Sequence, residues 1–255
     1  MLVVHTALYG YTIQAQDGPI GTVTDFLFDD RSWQCRWIVV DTGDWLSDRK
    51  VLLHPSAVGE ADHDYKRFST DLTRQKVEDS PRLIDHAPVS QQFEVSQYKY
   101  YGWDPFWGSG LSGVSRAGEF AGPARYFGGL DLAELADIPG HSSDADPHLR
   151  SMAEISGYHL KATDGDIGHV ESMLVDDASL GVSYLIVDAS NWWFGKRVLM
   201  SPFAITGISY DERTIAVNVT RVTVKDSPPW EPSELISQDR QRRLHGYYGW
   251  PGYGW

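Results

Sequence analysis

The sequence is poor in the features that would tie it to a secretory or membrane setting. It has a single cysteine, Cys35, among 255 residues, which excludes an internal disulfide framework and fits a reducing compartment. Its first residues, MLVVHTALYG, lack the basic n-region and long apolar h-region of a signal peptide. No apolar run approaches the roughly 20 residues that a membrane-spanning helix needs. We therefore expect a cytoplasmic protein without an integral membrane segment.

Basic residues are also scarce. Lysine and arginine number 22 against 35 aspartates and glutamates, which gives a formal net charge of −13, and the acidic excess is spread over both halves of the chain. Binding to nucleic acid or to an anionic membrane surface usually leaves a basic footprint. The one basic cluster is Arg240, Arg242 and Arg243, which is typical of a solvated helix face. We therefore expect no nucleic-acid partner.

Groupings that would support catalysis are missing as well. Cys35, the one thiol, lies in an apolar run and is predicted to be a buried structural residue. The nine histidines never occur at HxH or HExxH spacing. The segment HSSDADPH places His141, Asp144, Asp146 and His148 together; a weak metal site is one interpretation, and a solvated linker is the favoured one. We predict no catalytic, cofactor-binding or metal-binding residue, no cofactor and no enzymatic activity.

What the chain does contain is an internal repeat. A single offset of 147 residues aligns residues 10–103 with residues 157–250 without a gap and gives 32 identities in 94 pairs. DGPIGTVTDFLFDD pairs with DGDIGHVESMLVDD, and WIVVDTGDWLSDRKVLLHP pairs with YLIVDASNWWFGKRVLMSP. This is a duplication, and we call the two aligned segments repeat 1 and repeat 2.

Each repeat is predicted to be mainly β with short helices. In repeat 1 the expected strands are residues 11–15, residues 20–28, the run CRWIVVDT buried on both faces, KVLLHP and residues 65–70. These would form a small antiparallel sheet or barrel. A short helix follows at 73–79, and a second helix begins at an N-cap serine, Ser90 or Ser237, and runs into the tetrapeptide YYGW. Glycine can end that helix with a positive φ.

The division predicted from the repeat is a first domain at residues 1–104, a Gly/Ala/Ser-rich linker at 105–150 and a second domain at 151–255. The two domains are expected to pack on each other as a pseudo-twofold pair, as a homodimer of single modules would.

Two acidic pairs, Asp29-Asp30 and Asp176-Asp177, recur at the repeat offset. A calcium or acid/base role is one interpretation. The favoured one is a hairpin turn, because aspartate stabilises turns through hydrogen bonds to its own backbone.

Aromatic residues stand out at predicted turns and in the segments around YYGW. Their rings either close each repeat over its own sheet, form an interface between the repeats or with another chain, or line a small-molecule or carbohydrate site. The candidate interaction surface comprises Trp45, Trp103, Phe106, Trp107, Trp192, Trp193, Trp250, Tyr253 and Trp255.

The run from the Asp-Gly turn through IGTVTDFLFDD, WIVVDTG and KVLLHP resembles a PRC-barrel domain. This β-barrel module is shared by the soluble part of the photosynthetic reaction centre H subunit and by the ribosome-maturation factor of the 16S-processing type. The helical extension ending in YYGW is similar to the H-subunit-like branch and to tandem bacterial PRC-barrel proteins. The resemblance covers residues 5–107 and 152–255, and it implies two small antiparallel β-barrels, each followed by a helical and aromatic extension.

Three functions are therefore considered. The first is a non-enzymatic adaptor or assembly module for an unknown protein partner. The second, implied by the resemblance, is an H-subunit-like accessory of a photosynthetic or other electron-transfer complex, peripherally associated with its membrane. The third is a ligand-binding protein or enzyme that uses the cleft between the two copies.

Overall fold

The structure is a computed structural model, and it describes residues 1–46, 49–81, 89, 91–103, 146–189, 195–231 and 236–251. The strands of the first half are β1 (Leu2–Val4), β2 (Thr12–Ala15), β3 (Gly18–Asp29), β4 (Cys35–Asp41), β5 (Lys50–Leu53), β6 (Val58–Asp62) and β7 (Arg67–Thr70). Those of the second half are β8 (Leu149–Ser151), β9 (His159–Ala162), β10 (Gly165–Asp176), β11 (Val182–Asp188), β12 (Arg197–Met200), β13 (Ile205–Ser209) and β14 (Thr214–Val217). Each strand of the second half begins and ends 147 residues after its counterpart.

The described α-helices are short. They are α1 (Arg74–Glu78), α2 (Gln91–Tyr101), α3 (Met152–Ile155), α4 (Arg221–Asp226) and α5 (Gln238–Tyr248). The predicted N-cap at Ser237 is confirmed, since its side chain accepts a hydrogen bond from the Arg240 amide at 3.3 Å. Ser90 lies outside the described residues. The glycines of both YYGW segments have positive φ, 74° at Gly102 and 70° at Gly249, as helix termination by glycine predicts.

The strands form two seven-stranded sheets, and the mainly β prediction is confirmed. The first has the order β5-β4-β3-β2-β7-β6 with β8 also paired to β3, and the second has the order β12-β11-β10-β9-β14-β13 with β1 also paired to β10. All pairs are antiparallel except β2 with β7 and β9 with β14. The prediction of purely antiparallel pairing was wrong there because β2 and β7 are not joined by a hairpin: the chain returns to β2 through the other strands, and β7 then runs in the same direction as β2. Strand β6, which is polar and lacks apolar alternation, was not predicted.

The two halves exchange their first strands. Strand β1 pairs with the end of β10, with Leu2 opposite Asp176 and Val4 opposite Leu174. Strand β8 pairs in the same way with the end of β3, with Leu149 opposite Asp29. The predicted linker boundary at residue 150 therefore lies inside β8, and each sheet contains a strand from the other half of the chain.

The central strands β4 and β11 are buried on both faces, as the apolar run CRWIVVDT predicts. In β4 the six residues from Cys35 onward are buried, and in β11 all but Ser183 and Asp188 are. One apolar core contains side chains of both repeats. The backbone also crosses between them, since the Val182 amide donates to the Trp33 carbonyl at 2.8 Å.

Candidate functional site

The two acidic pairs stabilise turns through their first members. The Asp29 carboxylate accepts a hydrogen bond from the Ser32 amide at 2.8 Å, and the Asp176 carboxylate accepts one from the Ser179 amide at 2.9 Å. The turn interpretation is thus confirmed for Asp29 and Asp176.

The second members link the two repeats. Asp30 accepts a hydrogen bond from the Tyr210 hydroxyl and lies 2.9 Å from His148 Nδ1. Asp177 contacts the N-terminal amino group and lies 3.0 Å from His63 Nε2. Burial opposes ionisation of Asp177, but hydrogen bonds from the N-terminus and His63 outweigh it and lower its pKa. The sequence could not indicate these contacts, because their partners are distant along the chain.

Beneath helix α2 of repeat 1 lies a buried ionic cluster. The Arg36 side chain is 1% exposed; its Nη2 donates to Glu94 at 2.5 Å and its Nη1 donates to Asp146 at 2.8 Å. The other Glu94 oxygen accepts from Trp37 Nε1 at 2.5 Å. These contacts tie α2 to strand β4 and to the segment before β8.

Aromatic rings complete this packing. The His54 ring meets the Trp37 and Tyr98 rings at centroid distances of 5.9 and 5.8 Å. Burial and the Arg36 charge lower the pKa of His54 to about 4, so this ring is neutral near pH 7. The space between α2 and the sheet of repeat 1 is therefore filled by side chains.

Smaller side chains occupy most of the equivalent positions in repeat 2. At the repeat offset, Arg36, Trp37, His54, Glu94 and Tyr98 correspond to Ser183, Tyr184, Ser201, Gln241 and His245. The structure has a cavity of about 1270 Å³ that Ser183, Ser201, Gln241 and His245 help to line. We call this cavity the cleft.

The cleft lies between the repeats. Repeat 1 contributes the turn after β3, including Asp30 and Trp33, and repeat 2 contributes β13 and the start of helix α5. Its apolar wall includes Trp33, Val182, Phe203, Ile208 and Ile236. Phe203 is 41% exposed, which places it where the cleft meets solvent.

Among the polar side chains of helix α5 that line the cleft, His245 and Gln241 differ in their hydrogen bonding. His245 is fixed on both sides, because its Nε2 lies 2.9 Å from the Tyr184 hydroxyl and its Nδ1 lies 2.5 Å from the Pro251 carbonyl. Gln241 is 9% exposed, and its Nε2 has one long contact of 3.5 Å to the Ile236 carbonyl. Its Oε1 has no hydrogen-bond partner among the residues that the structure describes.

Three of the nine aromatic residues predicted as an interaction surface are described. Trp103 and Trp250 stack on the tyrosine two positions before them, with centroid distances of 4.0 Å to Tyr101 and 4.2 Å to Tyr248. Trp250 is 8% exposed, and both indoles pack within their own repeat. The Trp45 Nε1 donates to the Ile20 carbonyl at 2.5 Å.

The other six aromatic residues of that surface lie outside the described residues: Phe106, Trp107, Trp192, Trp193, Tyr253 and Trp255.

The segment HSSDADPH is not the solvated linker that was favoured, as far as it is described. Asp146 is 6% exposed and pairs with Arg36, and His148 contacts Asp30. His141 and Asp144 lie outside the described residues. Cys35 is buried as predicted, and burial raises the pKa of its thiol.

Within the described part of the chain, no three His, Cys, Asp or Glu side chains cluster in a way that could hold a metal ion. The helices in those residues are all too short or too polar to cross a membrane. A comparison with protein-family models gives no match, and a comparison with curated proteins gives none either.

Proposed function

We propose that the chain is a non-enzymatic adaptor or assembly module in which each repeat is a PRC-barrel-like domain. The sheet order supports the barrel interpretation, because the two edge strands, β5 and β6, are joined by only the four residues 54–57, which brings the two edges of the sheet towards each other. The exchange of β1 and β8 supports an adaptor, since it joins two copies of one module into a paired platform.

The observation that carries this proposal is an apolar surface on helices α4 and α5. Val222 is 62% exposed and Tyr247 is 40% exposed. The Tyr247 hydroxyl donates to the Thr223 carbonyl at 2.8 Å, which holds the tyrosine against helix α4, the helix that carries Val222. Exposed tyrosine is enriched at protein interfaces. Position 75, the repeat 1 equivalent of Val222, is glutamine.

Site-specific photocrosslinking tests this surface. We would replace Tyr247 with p-benzoylphenylalanine in the full chain, irradiate native lysate and identify adducts by mass spectrometry. Tyr100 is the matched control because it occupies the equivalent position in repeat 1 and also bonds to a backbone carbonyl, that of Lys76 at 2.9 Å. We expect one recurrent protein adduct from position 247, weakened by Val222→Ser.

Two results would contradict the adaptor. One is equal labelling from positions 100 and 247 that Val222→Ser leaves unchanged, and the other is reproducible turnover by the pure protein without any adduct. A partner that sediments with membranes and belongs to an electron-transfer complex would instead favour the H-subunit-like accessory role.

A further inference from the structure

We propose that the cleft binds an uncharged, largely apolar small molecule that carries one hydrogen-bond donor, and that Gln241 Oε1 accepts from this donor. This binding site goes beyond the adaptor role and does not depend on it, since neither Val222 nor Tyr247 lines the cleft.

The internal repeat provides the first argument. The scaffold around the cleft is present twice, and in repeat 1 the same five positions hold the packed cluster of Arg36 and its neighbours. Four of the five replacements in repeat 2 are to a smaller side chain, and the charged pair Arg36 and Glu94 becomes the neutral pair Ser183 and Gln241. Protein interiors are close-packed, so such losses leave space unless another group fills it.

Size and lining provide the second argument. The cleft volume of about 1270 Å³ exceeds the upper end of the roughly 300–1,000 Å³ range of small-molecule sites. The cleft is therefore large enough to hold a small molecule. Beside its polar groups, the wall of the cleft has an apolar part made of an indole, a phenyl ring and aliphatic side chains, and such surfaces favour an apolar ligand body.

Charge provides the third argument. The ionisable groups at the cleft already have partners within the protein: Asp30 with Tyr210 and His148, and Arg31 with Asp29 at 3.4 Å. Asp176 is held by its own turn and lies 3.6 Å from the N-terminal amino group. A charged ligand would have to compete with these pairs, whereas a neutral one would not.

The fourth argument is the state of Gln241. Its side chain is more than nine-tenths buried and lines the cleft, yet its Oε1 has no partner among the described residues. Buried polar atoms in folded proteins are normally paired. A ligand N–H or O–H group in the cleft would supply the missing donor, which fixes both the hydrogen-bonding type and the approximate position of the ligand's polar group.

The probe for the test is N-phenyl-1-naphthylamine, which is neutral and apolar, has one N–H donor and fluoresces strongly when transferred from water to an apolar site. Titration of the full chain should give saturable binding. The N-methylated analogue lacks the donor and should bind about fivefold to tenfold more weakly, as expected for one hydrogen bond to a buried acceptor.

Two variants make the test specific. Ser183→Arg with Gln241→Glu restores in repeat 2 the pair that fills repeat 1, and it should abolish saturable binding while the melting temperature is maintained. Gln241→Leu removes the acceptor and should bind both probes with equal affinity. If the double variant fails to fold, Gln241→Leu still tests the proposal, because the difference in affinity between the two probes should be lost in this variant.

Three results would overturn the proposal. These are an absence of saturable binding to the wild-type chain, unchanged binding by a folded Ser183→Arg/Gln241→Glu variant, and a wild-type chain that binds the N-methylated probe as tightly as the parent compound.

Discussion

Removal of the Glu94 carboxylate should strongly destabilise the protein at pH 8, where this group is ionised although burial raises its pKa to about 7. Glu94 is fully buried, and its two oxygens accept from Arg36 Nη2 and Trp37 Nε1, each at 2.5 Å. In Glu94→Ala the guanidinium stays buried with Asp146 as its close partner, and the indole N–H loses its acceptor.

The magnitude follows from these two losses. Breaking a buried ion pair costs about 3–5 kcal/mol, and the remaining 2.8 Å contact to Asp146 places the effect near the lower limit. An unpaired buried N–H adds about 1 kcal/mol or more. We therefore expect a loss of about 4 kcal/mol, or a fall in melting temperature on the order of 10 °C for a chain of this size.

The chain offers a matched control at the repeat offset. Gln241 is also buried beneath its helix, but its Oε1 has no partner among the described residues, so Gln241→Ala should cost about 1 kcal/mol or less. Glu94→Gln retains one acceptor and should give an intermediate value. Urea denaturation followed by circular dichroism measures all three variants. If Glu94→Ala costs no more than Gln241→Ala, the ionic cluster does not stabilise the fold as argued.

Three further predictions concern glycine packing, histidine titration and the Trp250 indole. Gly21→Ala should destabilise the protein by about 2–3 kcal/mol, because the new Cβ would lie 2.1 Å from a backbone oxygen. Gly207→Ala should be neutral, because no heavy atom lies within 4 Å of a Cβ at that position. Thermal melts compare the stabilities of the two variants. Burial lowers the pKa of His5 to about 4, so protonation of His5 alone should lower the free energy of unfolding by up to about 3 kcal/mol between pH 6.5 and 4; urea denaturation of His5→Asn should show a fall with pH that is smaller by this amount. Trp250→Ala should cost about 3 kcal/mol in urea denaturation, but the exposed Tyr247→Ala should cost less than about 1 kcal/mol; equal costs would contradict the burial of the indole.

Local patterns were sufficient to predict most strands and helix ends. The run CRWIVVDT could be identified as a strand buried on both faces because it is short, apolar and β-branched, and the structure places β4 there. The short helix predicted at residues 73–79 is α1, with Thr73 as its N-cap. These elements depend on neighbours in the sequence. The gapless repeat also allowed each strand or helix to be predicted from two aligned segments.

The exchanged strands and the side chains that line the cleft could not be predicted in the same way, although a cleft between the two copies was one of the sequence-based hypotheses. Strand β8 has three residues and pairs with β3, so nothing in its own sequence distinguishes it from the end of a linker. The local sequence predicts a solvated linker residue at Asp146, because its partner, Arg36, is 110 positions away. The cleft depends on which side chains of two repeats face each other, and a signal for it existed only in the substitutions between the repeats.

Those substitutions separate the residues that maintain the fold from those that can vary. The contact of an aspartate with the first helix is kept in both repeats: the Arg74 amide donates to Asp17 at 2.8 Å, and the Arg221 amide donates to Asp164 at 2.7 Å. A glycine is also kept at the equivalent positions Gly21 and Gly168. A Cβ at either position would lie about 2 Å from the backbone oxygen of the aspartate that ends the neighbouring strand, β4 or β11.

The replaced positions are instead concentrated beneath the C-terminal helix of each repeat, where repeat 1 has an ionic cluster and repeat 2 has the cleft. Strand boundaries are the same in both repeats, and the helices Gln91–Tyr101 and Gln238–Tyr248 also correspond, so the difference beneath these helices lies mainly in the side chains. A fold that needed the ionic cluster in both copies would have kept it in both. Repeat 1 therefore retains that cluster as a structural anchor beneath its helix, whereas the equivalent space in repeat 2 is the cleft that we propose as a ligand site.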